Sequence, residues 1–498
     1  MFYSQIKKVI LLASFMPAAC LMADFTWDGG GGNNNLNTSA NWVGDPTAPV
    51  GDYTDGVLTF SGTARTSVVF NVGEVIEPTY AYIDSIVFDS TTTTGYTVSV
   101  ATPIESLFFA GDPDTSAANS LLHDAAGNTI HTFSMSITTG GFASSTWTVT
   151  HAGSKLVFSM PVTLGYDLSG GNGTAPGVLT LAGAGDFTFS DNVVQDTNIV
   201  GQGITKTGSG TAIFGGTNNY TGATTISGGT LQIGNGGTTG KLSTSSSITN
   251  NSNLVFNRTN TITQNTDFAN VISGSGNVTQ AGSGTLVFGG TNTYTGATTI
   301  SAGTLIVASG GSTYASSAVS VAAAGTLGGC GTVNGTVALS GALSPGDTAG
   351  AVGTLTTGAA TVNTGSAMTI DFTGNVSGVA GTNWDLWTIN GALNLNATSG
   401  SPTTLTLNTT AGLTGWDNAQ NYSWKIMGAT SVVGFGADEF AVVSTNFSDD
   451  NALGGGTFSV ANVGNDVMLN FTAVPEPATI GLLALGAGAL AAAKRRRS

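Results

Sequence analysis

Residues 204–233 read ITKTGSGTAIFGGTNNYTGATTISGGTLQI, and residues 278–307 read VTQAGSGTLVFGGTNTYTGATTISAGTLIV. The two align without gaps at roughly two-thirds of positions, the mark of an architecture built by stacking equal units. Inside each copy the apolar residues alternate. Leu286 and Phe288 fall on one side of an extended segment and Val287 on the other; Leu305 and Val307 then point inward and Ile306 outward. The first copy has Gln232 where the second has Ile306, which fits a solvent-facing position. Between the strands lie Gly-Gly-Thr-Asn and Tyr-Thr-Gly, turn chemistry that permits positive φ. Strand, turn, strand and turn, repeated, predict a solenoid with on the order of twenty-odd residues per coil. Phe214 and Phe288 are expected inside it, and Asn218 and Asn292 at equivalent turns.

Weaker relatives of the unit follow. GTVNGTVALSGALSPGD and GTLTTGAATVNTGSAMTIDF carry the pattern to residue 372. The stretch GSGTLVFGGTNTYTGATTISAGTL resembles the autotransporter-associated β-strand repeat, also called the passenger-associated transport repeat. That resemblance implies an all-β chain folded as a right-handed parallel β-helix. Autotransporters end in a C-terminal β-barrel, and this chain ends in a basic tail, so their self-transporting mechanism does not carry over.

Upstream, residues 24–195 are less regular but strand-like, with VLTFSG, TSVVFNV, DSIVFDS, YTVSV, STWTVTHAGSKLVFSM and GVLTLAGAGDFTFS. They are expected to form an N-terminal β-rich cap and the first coils. Trp27 and Trp42 are placed over the open end, because a solenoid needs its end covered; stacking on carbohydrate is the other use open to them. The β-helix proper spans 196–372. Residues 373–472, with four more tryptophans and the longer strands LWTINGALNLNA, TTLTLNTT and DVMLNF, read as the last coils and a C-terminal cap.

Both termini look like addresses rather than structure. Residues 1–23 carry Lys7 and Lys8, an apolar core from Val9 to Phe15, and a cleavage site between Ala23 and Asp24: a secretory signal peptide, which implies the Sec translocon as a partner. Cys20 invites lipidation, but Pro17-Ala18-Ala19 lacks the usual leading Leu or Val. At the other end, residues 473–498 hold Pro475, Glu476 and Pro477, an apolar run over 478–493, and the cluster Lys494, Arg495, Arg496 and Arg497. The run is about 16 residues, just under the ~17–25 of a spanning helix, and is read as a membrane-anchor helix. The basic cluster stops transfer and stays cytoplasmic, leaving everything upstream outside. These three parts in this order resemble the PEP-CTERM sorting signal of Gram-negative, biofilm-forming bacteria. The resemblance implies an exosortase-type enzyme that cuts near the triplet, transient inner-membrane anchoring, and a final place at the cell surface or in the extracellular matrix.

Composition narrows the partners. The chain has 12 Lys and Arg against 28 Asp and Glu. Outside the two addresses only Arg65, Lys155, Lys206, Lys241, Arg258 and Lys425 are basic. Nucleic acid, whose binding depends on Lys and Arg at phosphates, is excluded as a partner. Charged residues make up 8%, about a third of the usual share, yet 40% are hydrophobic and alternate with polar ones, so the chain folds rather than staying disordered. Cys330 is the single cysteine left after the signal peptide and reads as a small strand-or-turn residue; no internal disulfide is possible.

The residues supply no catalytic constellation. HExxH, paired CxxC, GxSxG and GxxxxGK[ST] are all missing. His123, His131 and His151 have no zinc spacing and read as solvated or satisfied strand-loop residues. Asp112 and Asp114 begin like a calcium loop, but Ser116 and Ala118 break the pattern. No metal site and no cofactor is expected. A glycosidase needs two carboxyl groups at a set separation, and the sequence singles out no pair. Two readings stand. The first is an exported, surface-sorted, non-enzymatic β-helical protein, adhesin-like or associated with extracellular polysaccharide or with like rods. The second is a carbohydrate-active enzyme or carbohydrate-binding protein on the same scaffold.

Overall fold

Two- to five-residue runs that alternate inward apolar and outward polar side chains are too short to stand alone. They gain stability by pairing with equivalents of themselves. The computed structural model describes residues 25–27, 53–60, 67–70, 80–88, 92, 95–100, 106–109, 120–124, 128–140, 144–166, 177–195, 199–269, 271–314, 317–348 and 350–474. Over these the chain is all-β, with a 3-10 turn at Ala437–Glu439 and a short α-helix at Thr445–Asp450. It divides into two compact units, Met1–Asn277 and Val278–Ser498.

In the first unit, strands pair with partners one coil away. Ser145–Val149 pairs in parallel with Ser120–His123 before it and Val178–Gly183 after it. Lys155–Phe158 pairs likewise with Ile130–Phe133 and Asp186–Phe189. Val162–Tyr166 pairs with Ser136–Gly140 and Val193–Gln195. Each coil here gives one strand to each of three parallel ladders, of which the first and third join into one sheet through Tyr80–Phe88. Equivalent residues are about a coil apart: Asp186 accepts from the Thr211 N–H 25 residues on, and Thr221 from the Gly201 N–H 20 residues back.

In-register pairing puts like over like. Phe133, Phe158, Phe189 and Phe214 share one inward position; successive ring centroids are 5.3, 5.0 and 5.0 Å apart. All four are essentially fully buried. Phe288 is buried in the second unit too, as its alternation predicts.

Each sequence repeat holds four strands, not two. Gly203–Lys206 stacks under Thr224–Ile226, and Thr211–Phe214 under Thr230–Ile233. In the second copy Asn277–Gln280 stacks under Thr298–Ile300, and Thr285–Phe288 under Gly303–Val307. One repeat thus contains a whole coil together with the beginning of the next. The ITK and TTI strands are too short for a period-two pattern to stand out.

Two expectations are corrected. Ile306 is only 9% exposed. Its register partner in the next coil is Gly328, whose missing side chain leaves room for the Ile306 Cδ1 to fold down. The Gly-Gly-Thr-Asn glycines of the first copy do not use positive φ. A Cβ on Gly216 would sit 2.4 Å from the Asp191 carbonyl carbon, so that position needs glycine for close approach. Positive φ falls instead at the equivalent Gly229 (62°) and Gly303 (63°), where the chain turns into the fourth strand.

Polar groups inside are paired at equivalent places. Asn218 and Asn292 occupy matching turns, both buried. Asn218 Oδ1 accepts from Val193 N (2.7 Å) and its Nδ2 donates to Lys241 O (2.7 Å); Asn292 Nδ2 donates to Ser312 O. Tyr220 and Tyr294 are fully buried, their hydroxyls 2.8 and 2.5 Å from Thr224 and Thr298 Oγ1. In the second unit the strands fall into three sheets with parallel stacking. The third of them ends in an antiparallel turn-back, Tyr422–Gly428 beside Asp466–Thr472 beside Thr457–Val463. Trp416, Tyr422, Phe447, Phe458 and Phe471 cluster there, and the Trp416 and Trp424 indoles donate to Ala452 O and Val376 O.

Replacing Phe288 with Ala should cost about 3–5 kcal/mol by leaving a cavity in a close-packed ladder. Tyr294→Phe should cost about 1 kcal/mol, because Thr298 Oγ1 keeps Ser317 Oγ at 3.3 Å. Chemical denaturation of the two variants measures both. Equal losses would mean that the hydroxyl network, not ring packing, holds this coil.

Candidate functional site

Inward positions are filled by packing, so any binding chemistry must come from outward ones. On one sheet of the first unit the register runs Thr146, Thr180, Thr205, Thr225, Thr249, Ser273. Threonine suits a pleated, half-exposed surface because its methyl packs sideways while its hydroxyl faces out. Successive hydroxyls therefore step by about 4.8 Å, the spacing of paired strands. Two residues further along each strand come Thr148, Ala182, Thr207, Ser227, Asn251 and Ser275, the last four exposed. The two columns carry no charge, whereas the neighbouring sheet pairs Lys155 with Asp186 in one outward column. Sequence reading missed this face. Its trace is Thr-x-Thr, Thr-x-Ser and Thr-x-Asn at the start of successive coils, invisible until the register is known.

The residues singled out for chemistry fall elsewhere. His123 and His131 are fully buried on inward strand positions, each with a hydrogen-bond partner, so of the two alternatives they are satisfied strand residues rather than solvated ones. Their ring centroids are 4.2 Å apart, and His131 lies flat on Phe88 at 3.9 Å. His151 is at the surface, its Nε2 3.5 Å from Asp124 Oδ1. Cys330 follows the strand Gly325–Gly329 and is partly exposed. Burial pushes its thiol above the ordinary range and the Asp347 charge adds to the rise. Among the described residues no three His, Cys, Asp or Glu side chains gather to hold a metal. Asp112, Asp114, Trp42, the Ala23–Asp24 junction, Pro475, Glu476, Pro477, residues 478–493 and Lys494 to Arg497 lie outside the described residues. Among those described, no helix is long and apolar enough to cross a membrane.

One carboxyl pair was not legible in the sequence. Asp371 and Asp385, 14 residues apart, are both buried. Asp385 accepts from the N–H groups of Gly353 (2.8 Å) and Asp371 (2.9 Å), and Asn408 Nδ2 donates to Asp371 Oδ1 (2.6 Å). Both carboxyls are enclosed; Asp385 is held by two backbone donors, and Asp371 takes the Asn408 amide on Oδ1 while its buried Oδ2 has no hydrogen-bond partner.

A stack of parallel coils, one outer face of which repeats uncharged side chains, makes this a repeat-built β-solenoid. Residues 204–233 and 278–307 each match the family model for the passenger-associated-transport-repeat, and residues 473–497 match the PEP-CTERM protein-sorting motif. The chain carries both, and the sorting motif implies an exported, surface-sorted protein of the Gram-negative type, handled by exosortase-type processing. No curated protein matches the chain.

Burial pushes Asp385 up to about 8; the Asp371 and Gly353 N–H groups pull it back, and the Asp371 charge adds to the rise. The folded state thus holds a proton that the unfolded chain, with a carboxyl near ~3.9, releases. This contribution to stability is complete below about pH 4 and is lost as pH rises toward 8. Thermal scans of the second unit from pH 5 to 8 should show falling stability, and Asp385→Asn should flatten the curve while lowering it by about 1–3 kcal/mol for the lost acceptor.

Proposed function

We propose that this is a non-enzymatic surface protein, adhesin-like or associated with extracellular polymer of a biofilm matrix, whose right-handed solenoid binds neutral polysaccharide along its outer face. The observation that carries this reading is the double column from Thr146 to Ser275, which carries a hydroxyl or amide side chain at every position but Ala182 and no charge. A neutral linear glycan presents its own hydroxyls at a regular step, so many weak hydrogen bonds can form in parallel, each modest and the sum large. Right-handedness follows from the sense in which strand-crossover-strand connections of parallel sheets close. The enclosed state of Asp371 and Asp385 supports binding without turnover, since a glycosidase needs two carboxyl groups open to the substrate.

Export fits the same reading. Residues 1–23 guide the chain to the Sec translocon and are cut between Ala23 and Asp24. Residues 478–493 then anchor it in the inner membrane with Lys494, Arg495, Arg496 and Arg497 on the cytoplasmic side. An exosortase-type enzyme cuts near Pro475-Glu476-Pro477.

Pull-down on cellulose and chitin and affinity electrophoresis in dextran test the binding. At least one of these polymers should retain the protein, and Lys in place of Thr205, Thr225 and Thr249 together should weaken retention at least about tenfold, equivalent to ~1.4 kcal/mol. Retention unchanged by the triple substitution would rule out this face. Released reducing sugar that disappears on replacing one acidic residue, with folding intact, would favour the enzyme.

Intact-mass analysis of the surface form tests the sorting. The Lys494–Ser498 tail should be gone; its persistence would reduce the segment to a plain anchor.

A further inference from the structure

Alternation leaves Thr205 and Thr225 outward in the first repeat, and the matching positions of the second repeat are Thr279 and Thr299. These two belong to the second unit. Their strands, Asn277–Gln280 and Thr298–Ile300, stack in parallel. Val319–Val321, Val337–Leu339, Ala360–Val362 and Ala392–Leu395 continue the ladder. One outward position runs in register through all six strands: Thr279, Thr299, Ser320, Ala338, Thr361, Asn394. Each of these residues is half-buried or exposed, whereas Val278, Ile300, Val321, Leu339, Val362 and Leu393 on the same strands are buried. At the ~4.8 Å spacing of paired strands the column is about 24 Å long.

Strand propensity alone does not account for its chemistry. On a neighbouring sheet of the same unit the paired outward residues are Val287 and Ile306, so an outward position here can be apolar. The six-strand column instead keeps a hydroxyl or amide everywhere but Ala338. Among the described residues no side-chain hydrogen bond occupies the hydroxyls of Thr279, Thr299, Ser320 or Thr361. Two residues further along the strands, Asn363 Nδ2 donates to Ser340 Oγ at 3.0 Å and Asn396 Nδ2 to Asn363 Oδ1 at 3.4 Å. Three successive coils thus hold their polar side chains in line before any ligand arrives, which lowers the ordering cost of binding.

Charge narrows the occupant. No Asp, Glu, Lys or Arg occurs between Asp267 and Asp347, and the column itself carries none. An uncharged polymer lies on such a face without stranding a charge. An acidic polymer finds no cation there and meets a chain with 28 acidic against 12 basic residues.

We propose that the second unit carries its own face for neutral polysaccharide, so that one molecule joins two polymer chains. The proposal rests on the neutral-polysaccharide reading of the first unit's columns. Each unit holds a complete six-strand column of its own, and the backbone links the two. Binding by one unit then keeps the other at a high effective concentration near neighbouring polymer. A binder with one face coats a matrix; one with two faces ties it together.

Equilibrium dialysis of the full chain against labelled cello-, chito- and dextran oligomers counts the sites. The wild type should take up about two oligomers of at least one of these sugars per chain. Lys in place of Thr205, Thr225 and Thr249 should leave about one, and so should Lys in place of Thr279, Thr299 and Thr361. All six replaced together should leave none. Stacked lysines can open a ladder by repelling one another, so Thr279→Val, Thr299→Val and Thr361→Val, which keep the branched shape without the hydroxyl, form the second variant. It should weaken one site at least about tenfold with an unchanged thermal melt. The wild type should also thicken or precipitate hydroxyethyl cellulose, glycol chitin or dextran, matching the oligomer it takes up, whereas each triple variant should bind that polymer without doing so. A single wild-type site removed by the Thr205, Thr225 and Thr249 substitutions would overturn the second face and leave the first standing. Two sites without thickening would mean that one polymer chain runs over both faces, which would overturn the joining role. No uptake of any of these sugars or polymers would remove both faces.

Discussion

Parallel pairing in register is the constraint on which the rest of this molecule depends. When each strand lies on its equivalent from the previous coil, every side chain rests on the side chain that occupies the same position one coil away. Such stacking rewards residues that pack well against their own kind. Phe133, Phe158, Phe189 and Phe214 form such a row inside, and Thr146 through Ser273 form one outside. It penalises like charges, which would repeat at the strand spacing of about 4.8 Å with no room to spread apart. The charge-poor composition thus has a structural cause, not only a functional one.

Where ionisable side chains enter the interior, Lys206 and Asp385 each come with a local remedy. Lys206 is buried, with burial lowering it to about 8, and its Nζ donates to the Gly208 carbonyl. The second repeat places Gln280 at this position, and its Nε2 reaches Gly282 O and Gly284 O. Either side chain satisfies the carbonyls of the Gly-Ser-Gly turn, so the requirement is for a donor of that reach rather than for a charge. Asp385 likewise serves as an acceptor for Gly353 and Asp371 N–H groups that no strand partner supplies.

Much of the architecture was legible in residues 204–233 and 278–307, because the alternation and the repeat spacing report the same stacking. Phe214 and Phe288 fell inside, and Asn218 and Asn292 at matching turns. What escaped has a common origin: it depends on which coil lies next to which. Ile306 is covered because Gly328 happens to be its partner, and Gly216 is glycine because Asp191 passes beneath it. His123 and His131 meet from different sheets, and Asp371 and Asp385 across an intervening loop. The hydroxyl columns needed the register of six strands, some only two or three residues long, before their residues could be seen as one surface.

A surface made this way suits one kind of recognition and not another. Catalysis requires a few groups with opposed environments gathered in a concavity, and a translationally regular face repeats a single environment instead. The same regularity multiplies weak contacts against any partner that is itself periodic, since each additional coil engages at the effective concentration set by those already bound. Affinity then grows with the number of coils, and duplicated 30-residue units are a direct way to add them. On the proposed reading the first repeat lengthens the hydroxyl column by two steps, Thr205 and Thr225, as it extends the core, whereas the equivalent strands of the second repeat, Asn277–Gln280 and Thr298–Ile300, lie in another sheet.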